Sequence, residues 1–229
     1  MGKLESSLFD GDSPSQHLQA RFQHETPVGA LTIALTLVYS SFFIAPHITS
    51  ILLWFRHRFL FRQYIVSTLI TFALGMVGFL LLPTAPPWMV DPTHVQRLTE
   101  LVVSQQLGIS LGGGNGSGGF GFEPNDLAAL PSIHVAAIVL IALALRQIGP
   151  IWAAAGVLHA LAMSVAVIYL GEHYLIDVLG GWLIALAGWW VGSAIFKSGA
   201  ISDEHPDCQS QGGTKRRRPA TSPLRPDQT

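Results

Sequence analysis

One cysteine, Cys208, in 229 residues excludes a disulfide framework and any cysteine-ligated metal cluster. Charge is almost as scarce. Asp, Glu, Lys and Arg make up 12% of the chain, about half of the roughly 25% of an ordinary soluble domain. That shortage excludes a water-exposed globule of this length. The net charge of -1 says little as a sum, because what matters is where the charges lie. What the chain has instead is apolar: 49% hydrophobic and 10% aromatic residues, with a mean hydropathy of +0.43. Its 23 Gly and 14 Pro cluster and so leave long apolar blocks uninterrupted.

Placing the 13 Lys and Arg and the 14 Asp and Glu along the chain leaves five charge-free windows, 26–55, 63–90, 127–145, 147–171 and 178–196. A helix crossing the hydrocarbon core needs about 20 mostly apolar residues. Each window supplies one, so the expected fold is all-α, a polytopic membrane helical bundle of about five transmembrane helices. Pro46 falls within the first window and is expected to kink that span without ending it. Trp182, Trp189 and Trp190 in the last window suit a membrane interface or helix contacts.

Short loops that keep Lys and Arg stay cytoplasmic. Arg56, Arg58 and Arg62 separate the first two windows, which puts that loop inside. Alternation then places the N-terminal segment 1–26 outside, an outer loop at 83–130, the turn at Arg146 inside and the turn near Gly171 outside. The tail 198–229 falls inside, and 27–197 forms the membrane-embedded catalytic domain. On this topology only Lys3, Arg21 and Arg97 of the 13 basic residues lie outside. The expected location is the cell membrane, multi-pass, with a cytoplasmic C-terminus.

No basic leader with an apolar stretch and cleavage site precedes the first window, so that span is expected to act as its own insertion signal. The segment FDGDSPSQHLQARF at 9–22 reads as a short interfacial helix capped near Ser13 to Ser15, or as a disordered extension. The tail is polar and Pro-bearing, the composition of a disordered segment. Its KRRR run at 215–218 reads as charge that enforces topology, with contact to anionic lipid the alternative. No nucleic-acid partner is expected.

Three polar constellations interrupt the apolar pattern, all at outer ends of spans. LLLPTAPPWM at 80–89 ends the second span, because Pro83, Pro86 and Pro87 cannot continue a regular helix; Trp88 is expected at the interface. NDLAALPSIHV at 125–135 opens the third. Pro131 suits a first helical position, Ser132 or Asn125 can cap, and His134 falls in the first turn, where it is an interfacial histidine or a tuned one. VIYLGEHYLIDVLGGW at 167–182 opens the fifth. There His173 and Asp177 are four residues apart and share a helix face. A carboxylate so placed fixes the imidazole tautomer and leaves the other ring nitrogen directed outward, the arrangement of an activated nucleophile; a polar helix-packing pair is the alternative. Two histidines and an aspartate on two helices suit phosphoryl transfer through a phosphohistidine. That chemistry requires no cofactor and no metal.

At these residues the chain resembles the type 2 phosphatidic acid phosphatase superfamily, and especially its branch similar to inositol phosphorylceramide synthases. PSIH at 131–134 is similar to the family's second signature and YLGEHYLIDVLGGW to its third. YSSFFIAP at 39–46 and LPTAPPW at 82–88 also look like segments of that branch. The resemblance implies that His173 is the nucleophile, that Asp177 holds its imidazole, and that His134 is the general acid and base, in a pocket that faces outward. The family's first signature is absent, and its usual Ser-Arg pair upstream of the third-signature histidine is replaced by Ala166 and Val167. The ordinary basic cage for phosphate is therefore missing, although charge on a transferring phosphoryl group still needs donors.

Arg97, the basic residue of the outer loop, is the candidate phosphate ligand, and Ser132 is a second candidate substrate-binding residue; a solvated loop arginine is the alternative for Arg97. The run GGGNGSGGFGF at 112–122 offers amides to phosphate but reads more simply as a flap. His94, Glu123 and Asp126 share the loop without the spacing of a metal site. Gly188 and Gly192 form a GxxxG pattern that suits packing within the chain or pairing as a homodimer. Glu172, adjacent to His173, is expected to point elsewhere and stays outside the triad. The expected function is an integral membrane lipid-phosphate phosphatase or phosphotransferase, inositolphosphotransferase-like, at the outer face. Its partners would be a lipid phosphate substrate, a lipid hydroxyl acceptor and membrane lipids. The alternative is a non-catalytic transport or lipid-binding protein with structural His and Asp contacts.

Overall fold

The computed structural model describes residues 5, 12–23, 28–107 and 129–198. The glycine-rich run, Asn125, Glu123, Asp126 and the tail lie outside the described residues. Among the described residues the chain is helical and without strands. Its helices are α1 (Pro14–Phe22), α2 (Ala30–Ser40), α3 (Ala45–Arg56), α4 (Arg58–Leu81), the single turn α5 (Pro87–Val90), α6 (Leu98–Leu107), α7 (Ile133–Leu145), α8 (Pro150–Tyr169) and α9 (Leu175–Lys197).

The helix boundaries follow local chemistry. Ser13 caps α1 in a capping box: its hydroxyl accepts from Gln16 N at 3.3 Å while the Gln16 side chain accepts from Ser13 N at 2.6 Å, satisfying two otherwise orphaned donors. The helix alternative for 9–22 is thus the one adopted over the described part. α4 stops at Leu81 ahead of Pro83, where the residue before a proline disfavours helix. α8 starts with Pro150 just after Gly149, a position where the missing N–H costs nothing.

Among the described residues three helices, α4, α8 and α9, are long and apolar enough to cross a membrane, and a fourth span results if α2 and α3 count as one. That pair is bent by 50° around a 3-10 turn, Ser41–Phe43. Pro46 lies in the first turn of α3, so the first window is broken rather than gently kinked. The third window yields only the 13 residues of α7, about 20 Å of helix against about 30 Å of hydrocarbon. Residues 135–144 are all buried, with α3, α4, α8 and α9 packed around them. A helix sheathed by others meets little lipid, so it need not match the full hydrocarbon thickness, and its N-terminus with His134 sits inside the bundle. Large apolar side chains on the outer helices face outward instead, among them Leu80, Ile151, Leu183 and Trp190. The protein is a multi-pass membrane helical bundle.

Between helices in lipid, packing and small residues replace the hydrophobic driving force. Gly188 and Gly192 of α9 lie against Thr71 and Ser67 of α4, leaving no room for a Cβ; the GxxxG face is used within the chain. Gln63 Nε2 donates to Ser193 Oγ at 2.7 Å and Trp182 Nε1 to Ser164 Oγ at 3.1 Å, each such interhelical bond contributing about 0.6 kcal/mol.

Candidate active site

Ser132 is the N-cap of α7; its hydroxyl accepts from Val135 N at 3.4 Å and the helix begins at Ile133. Pro131 therefore lies before the cap rather than at the first helical position. The turn is wedged between two helices: a Cβ on Gly78 of α4 would meet the Pro131 ring at 2.5 Å, and one on Gly181 of α9 would meet Ser132 O at 2.5 Å. Ser132 N also donates to Asp177 O at 2.9 Å. These contacts seat His134, in the first turn of α7, beside the start of α9.

The second histidine is placed by the end of α8. Gly171 takes φ +81°, a left-handed conformation that glycine adopts without cost. Its N–H bonds Ile168 O at 3.1 Å and Glu172 N bonds Val167 O at 3.0 Å, the pattern of a Schellman cap. His173 N shares Val167 O at 3.1 Å, and Tyr174 then caps α9. His173 thus precedes the helix, whereas Asp177 occupies its first turn, so the two do not share a regular helix face as their spacing suggested. They still meet: His173 Nδ1 is 3.7 Å from Asp177 Oδ2. Asp177 Oδ2 also accepts from Tyr174 N at 2.8 Å. His173 Nδ1 and Asp177 Oδ1 have no other hydrogen-bond partner, so a small rotation closes the bond between them.

The other imidazole nitrogen faces the second histidine, with His173 Nε2 3.4 Å from His134 Nδ1. Asp177 is fully buried and His173 5% exposed. His134 stacks on Tyr39 (centroids 4.6 Å apart, 26° between planes) and lies 4.4 Å from the Phe42 ring. Both aromatics come from YSSFFIAP, where the first span breaks. Chemically, one imidazole has a carboxylate behind it and a second imidazole ahead, as nucleophilic attack followed by proton transfer requires.

Arg97 reaches the same end of the bundle but is already engaged. Its Nε donates to Glu172 Oε1 at 3.1 Å, and its guanidinium lies 4.6 Å over the Trp88 ring. Thr99 Oγ1 donates to the same Glu172 oxygen. Glu172, left outside the triad by its sequence position, is 9% exposed and lies in the same turn as His173. Trp88, expected at the membrane interface, turns onto Arg97, and its Nε1 has no hydrogen-bond partner. No sequence signal paired Arg97 with Glu172, since 75 residues separate them. At the start of α9, Glu5 Oε1 accepts from Leu175 N at 2.5 Å, and burial raises its carboxyl above the ordinary range.

Ser132 is fully buried, with its hydroxyl turned to the helix cap. His94 pairs with Asp91 at 2.9 Å on the surface. Among the described residues, no group of three or more His, Cys, Asp or Glu side chains is placed to hold a metal.

A family model described as the PAP2 superfamily matches residues 13–191. The chain belongs to the PAP2 superfamily. No curated protein and no solved structure matches it. Membership and the apolar helices make it a membrane phosphatase-type protein. As a PAP2 protein it departs from the usual pattern at Ala166 and Val167, both fully buried. Val167 enters the site only through its carbonyl, which holds Glu172 and His173. No guanidinium arrives from α8, and the guanidinium that meets Glu172 comes from Arg97.

Proposed function

We propose that this protein is a lipid-phosphate phosphatase or phospho-headgroup transferase, inositolphosphotransferase-like, that works through a phosphohistidine at the extracytoplasmic face of the cell membrane. The observation that carries the reading is the line Asp177, His173, His134, with contacts of 3.7 and 3.4 Å on opposite nitrogens of the His173 ring.

His173 Nε2 attacks phosphorus, and the bond from phosphorus to the leaving alcohol breaks. His134, protonated, gives its proton to the departing oxygen. Asp177 holds Nδ1–H and stabilises the imidazolium character that His173 acquires. Water or a lipid hydroxyl then attacks phosphorus, His134 takes the proton, and the P–N bond breaks. Arg97 supplies a cationic donor for charge on the phosphoryl oxygens, and Ser132 holds the turn that carries His134. The orientation rests on the basic residues, because Arg56, Arg58, Arg146 and Lys197 stand at helix ends remote from His134 and His173.

The test is a panel of lipid phosphates, including phosphatidic acid and phosphatidylinositol, in mixed micelles with and without hydroxyl-bearing lipids. Free phosphate and new phospholipid are both measured. Acid-labile labelling of the wild type that disappears in folded His173→Ala supports the reading. Equal turnover by His173→Ala and wild type sinks it and favours a transport or lipid-binding role.

A further inference from the structure

Arg97 is 14% exposed and Glu172 9%, so each is largely removed from water. A covered ion pair recovers its desolvation only through good geometry and further hydrogen bonds. Here Thr99 supplies one to Glu172, and the Trp88 face supplies a cation-π contact to Arg97. The pair is also tied to the catalytic turn. Glu172 and His173 are consecutive and hang from the same Val167 carbonyl. Leu98 N donates to Leu170 O and Trp88 N to Gly171 O, both at 3.3 Å, so the segment bearing Trp88 and Arg97 is pinned to that turn. The indole N–H of Trp88 is a buried donor without a partner, and unsatisfied buried donors are uncommon. A guanidinium and a spare N–H beside a phosphoryl-transfer site offer donors to an anion, and a carboxylate now holds the guanidinium.

We infer that Glu172 is a positioning residue: its carboxylate holds the Arg97 guanidinium beside the His134 and His173 pair and gives it up to the phosphoryl oxygens of the substrate. Arg97 from the outer segment, aimed by Glu172, thereby takes the place of the basic side chain that α8 lacks at Val167. This rests on the phosphoryl-transfer reading and adds the residue that prepares the anion site. Guanidinium suits the exchange, because its fork binds carboxylate and phosphate in the same bidentate way.

The experiment titrates inorganic phosphate into the full chain in detergent micelles, by calorimetry, for wild type, Arg97→Ala, Glu172→Gln and Glu172→Ala, with folding checked by thermal melting. Arg97→Ala should weaken phosphate binding about 10- to 100-fold. Glu172→Gln keeps the acceptor but removes the competing charge, and should tighten binding roughly 5-fold, the difference between a charged and a neutral hydrogen-bond partner. Glu172→Ala leaves the guanidinium with only the Trp88 face and the more distant Glu100, whose Oε2 is 4.0 Å from Arg97 Nη1, and should weaken binding. Opposite signs for Gln and Ala are what a merely structural pair would not produce.

Unchanged phosphate affinity in Arg97→Ala, or equal effects of Glu172→Gln and Glu172→Ala, overturns the inference. If Glu172→Ala does not fold, the near-isosteric Gln variant decides: tighter binding supports the proposal, and unchanged or weaker binding overturns it. The same titration on His173→Ala separates the two levels. Loss of turnover there with phosphate binding insensitive to Glu172 leaves the phosphohistidine reading standing and removes this one. Full turnover there removes the nucleophile assignment, while the titration still reports on Arg97 and Glu172.

Discussion

At one end of the bundle Arg56, Arg58, Arg146 and Lys197 stand exposed at the tips of their helices. At the other, Arg97, Glu172, His173 and Asp177 are largely or wholly covered, and each meets a named partner. Exposed cations need no geometry, since water solvates them and only their side of the membrane matters. Covered charges near a membrane persist only with partners or with a reaction to perform. The contrast separates two uses of charge in the proposed function: one end sets how the chain lies in the membrane, and the other holds the groups proposed to move a phosphoryl group.

If that contrast is right, substitutions at the covered end should have large effects on chemistry. His173→Ala should lower turnover of phosphatidic acid in mixed micelles by at least about 1000-fold. His134→Ala and Asp177→Asn should cost about 100- to 10,000-fold, the range of a general acid–base group. Initial rates on folded protein check all three, and a loss under tenfold in each would remove the distinction between the ends.

A backbone change should act on structure and chemistry together. Gly171→Ala places a Cβ at positive φ, 2.8 Å from Gln96 O, and should destabilise the fold by about 1–3 kcal/mol while displacing the turn that carries Glu172 and His173. A thermal melt and the same rate assay measure this, and an unchanged melt would mean that the turn is not tied to the outer segment.

The effect of pH on the surface of this end should be smaller. Hydrogen bonds from His94 and Thr93 hold the Asp91 carboxyl below its ordinary value of 3.8, and Gln16 Nε2 also donates to it at 2.9 Å. A depressed folded-state value stabilises the protein above the unfolded value, and that contribution is lost as pH falls through the folded one. Asp91→Asn should therefore flatten the loss of thermal stability between about pH 5 and about pH 3. A melt series in which both proteins lose stability equally would assign no role to the pair.

The smallest effect belongs to the exposed end, where Arg146→Gln should leave turnover and stability unchanged within about 0.5 kcal/mol. Its role should appear in topology instead. A cysteine at exposed Thr93 should react with an impermeant reagent on intact cells, and one at Arg146 only after lysis. The reverse pattern would invert the bundle and move the site to the cytoplasmic side.

The windows without charge located every long helix among the described residues, because a chain in lipid must satisfy its backbone internally and helix is the economical way to do so. They did not reveal that the first span breaks at 41–44 or that α7 stops at 13 residues. Hydropathy responds to apolar content alone, and a helix wrapped by protein is as apolar as one wrapped by lipid. The two histidines and Asp177 were legible because polar groups are so few in such a chain. Glu172 was not, since it is the neighbour of His173 and helical geometry argued that the two diverge; the Schellman turn at Gly171 places both before α9, where that geometry does not apply. Tyr39 and Phe42 were visible only as part of a familiar segment, with nothing to say that they flank His134.

Composition and the order of charges along the chain thus determined the class of molecule, the course of its helices and the identity of three polar groups at one end, because transfer into a membrane is decided residue by residue. Tertiary structure decided which nitrogen of His173 faces Asp177 and which faces His134, and that Arg97 meets Glu172 across 75 residues of sequence. Those are matters of a few ångströms between helices. They depend on where glycines such as Gly78 and Gly181 let one backbone approach another, and no local property of the chain carries that distance.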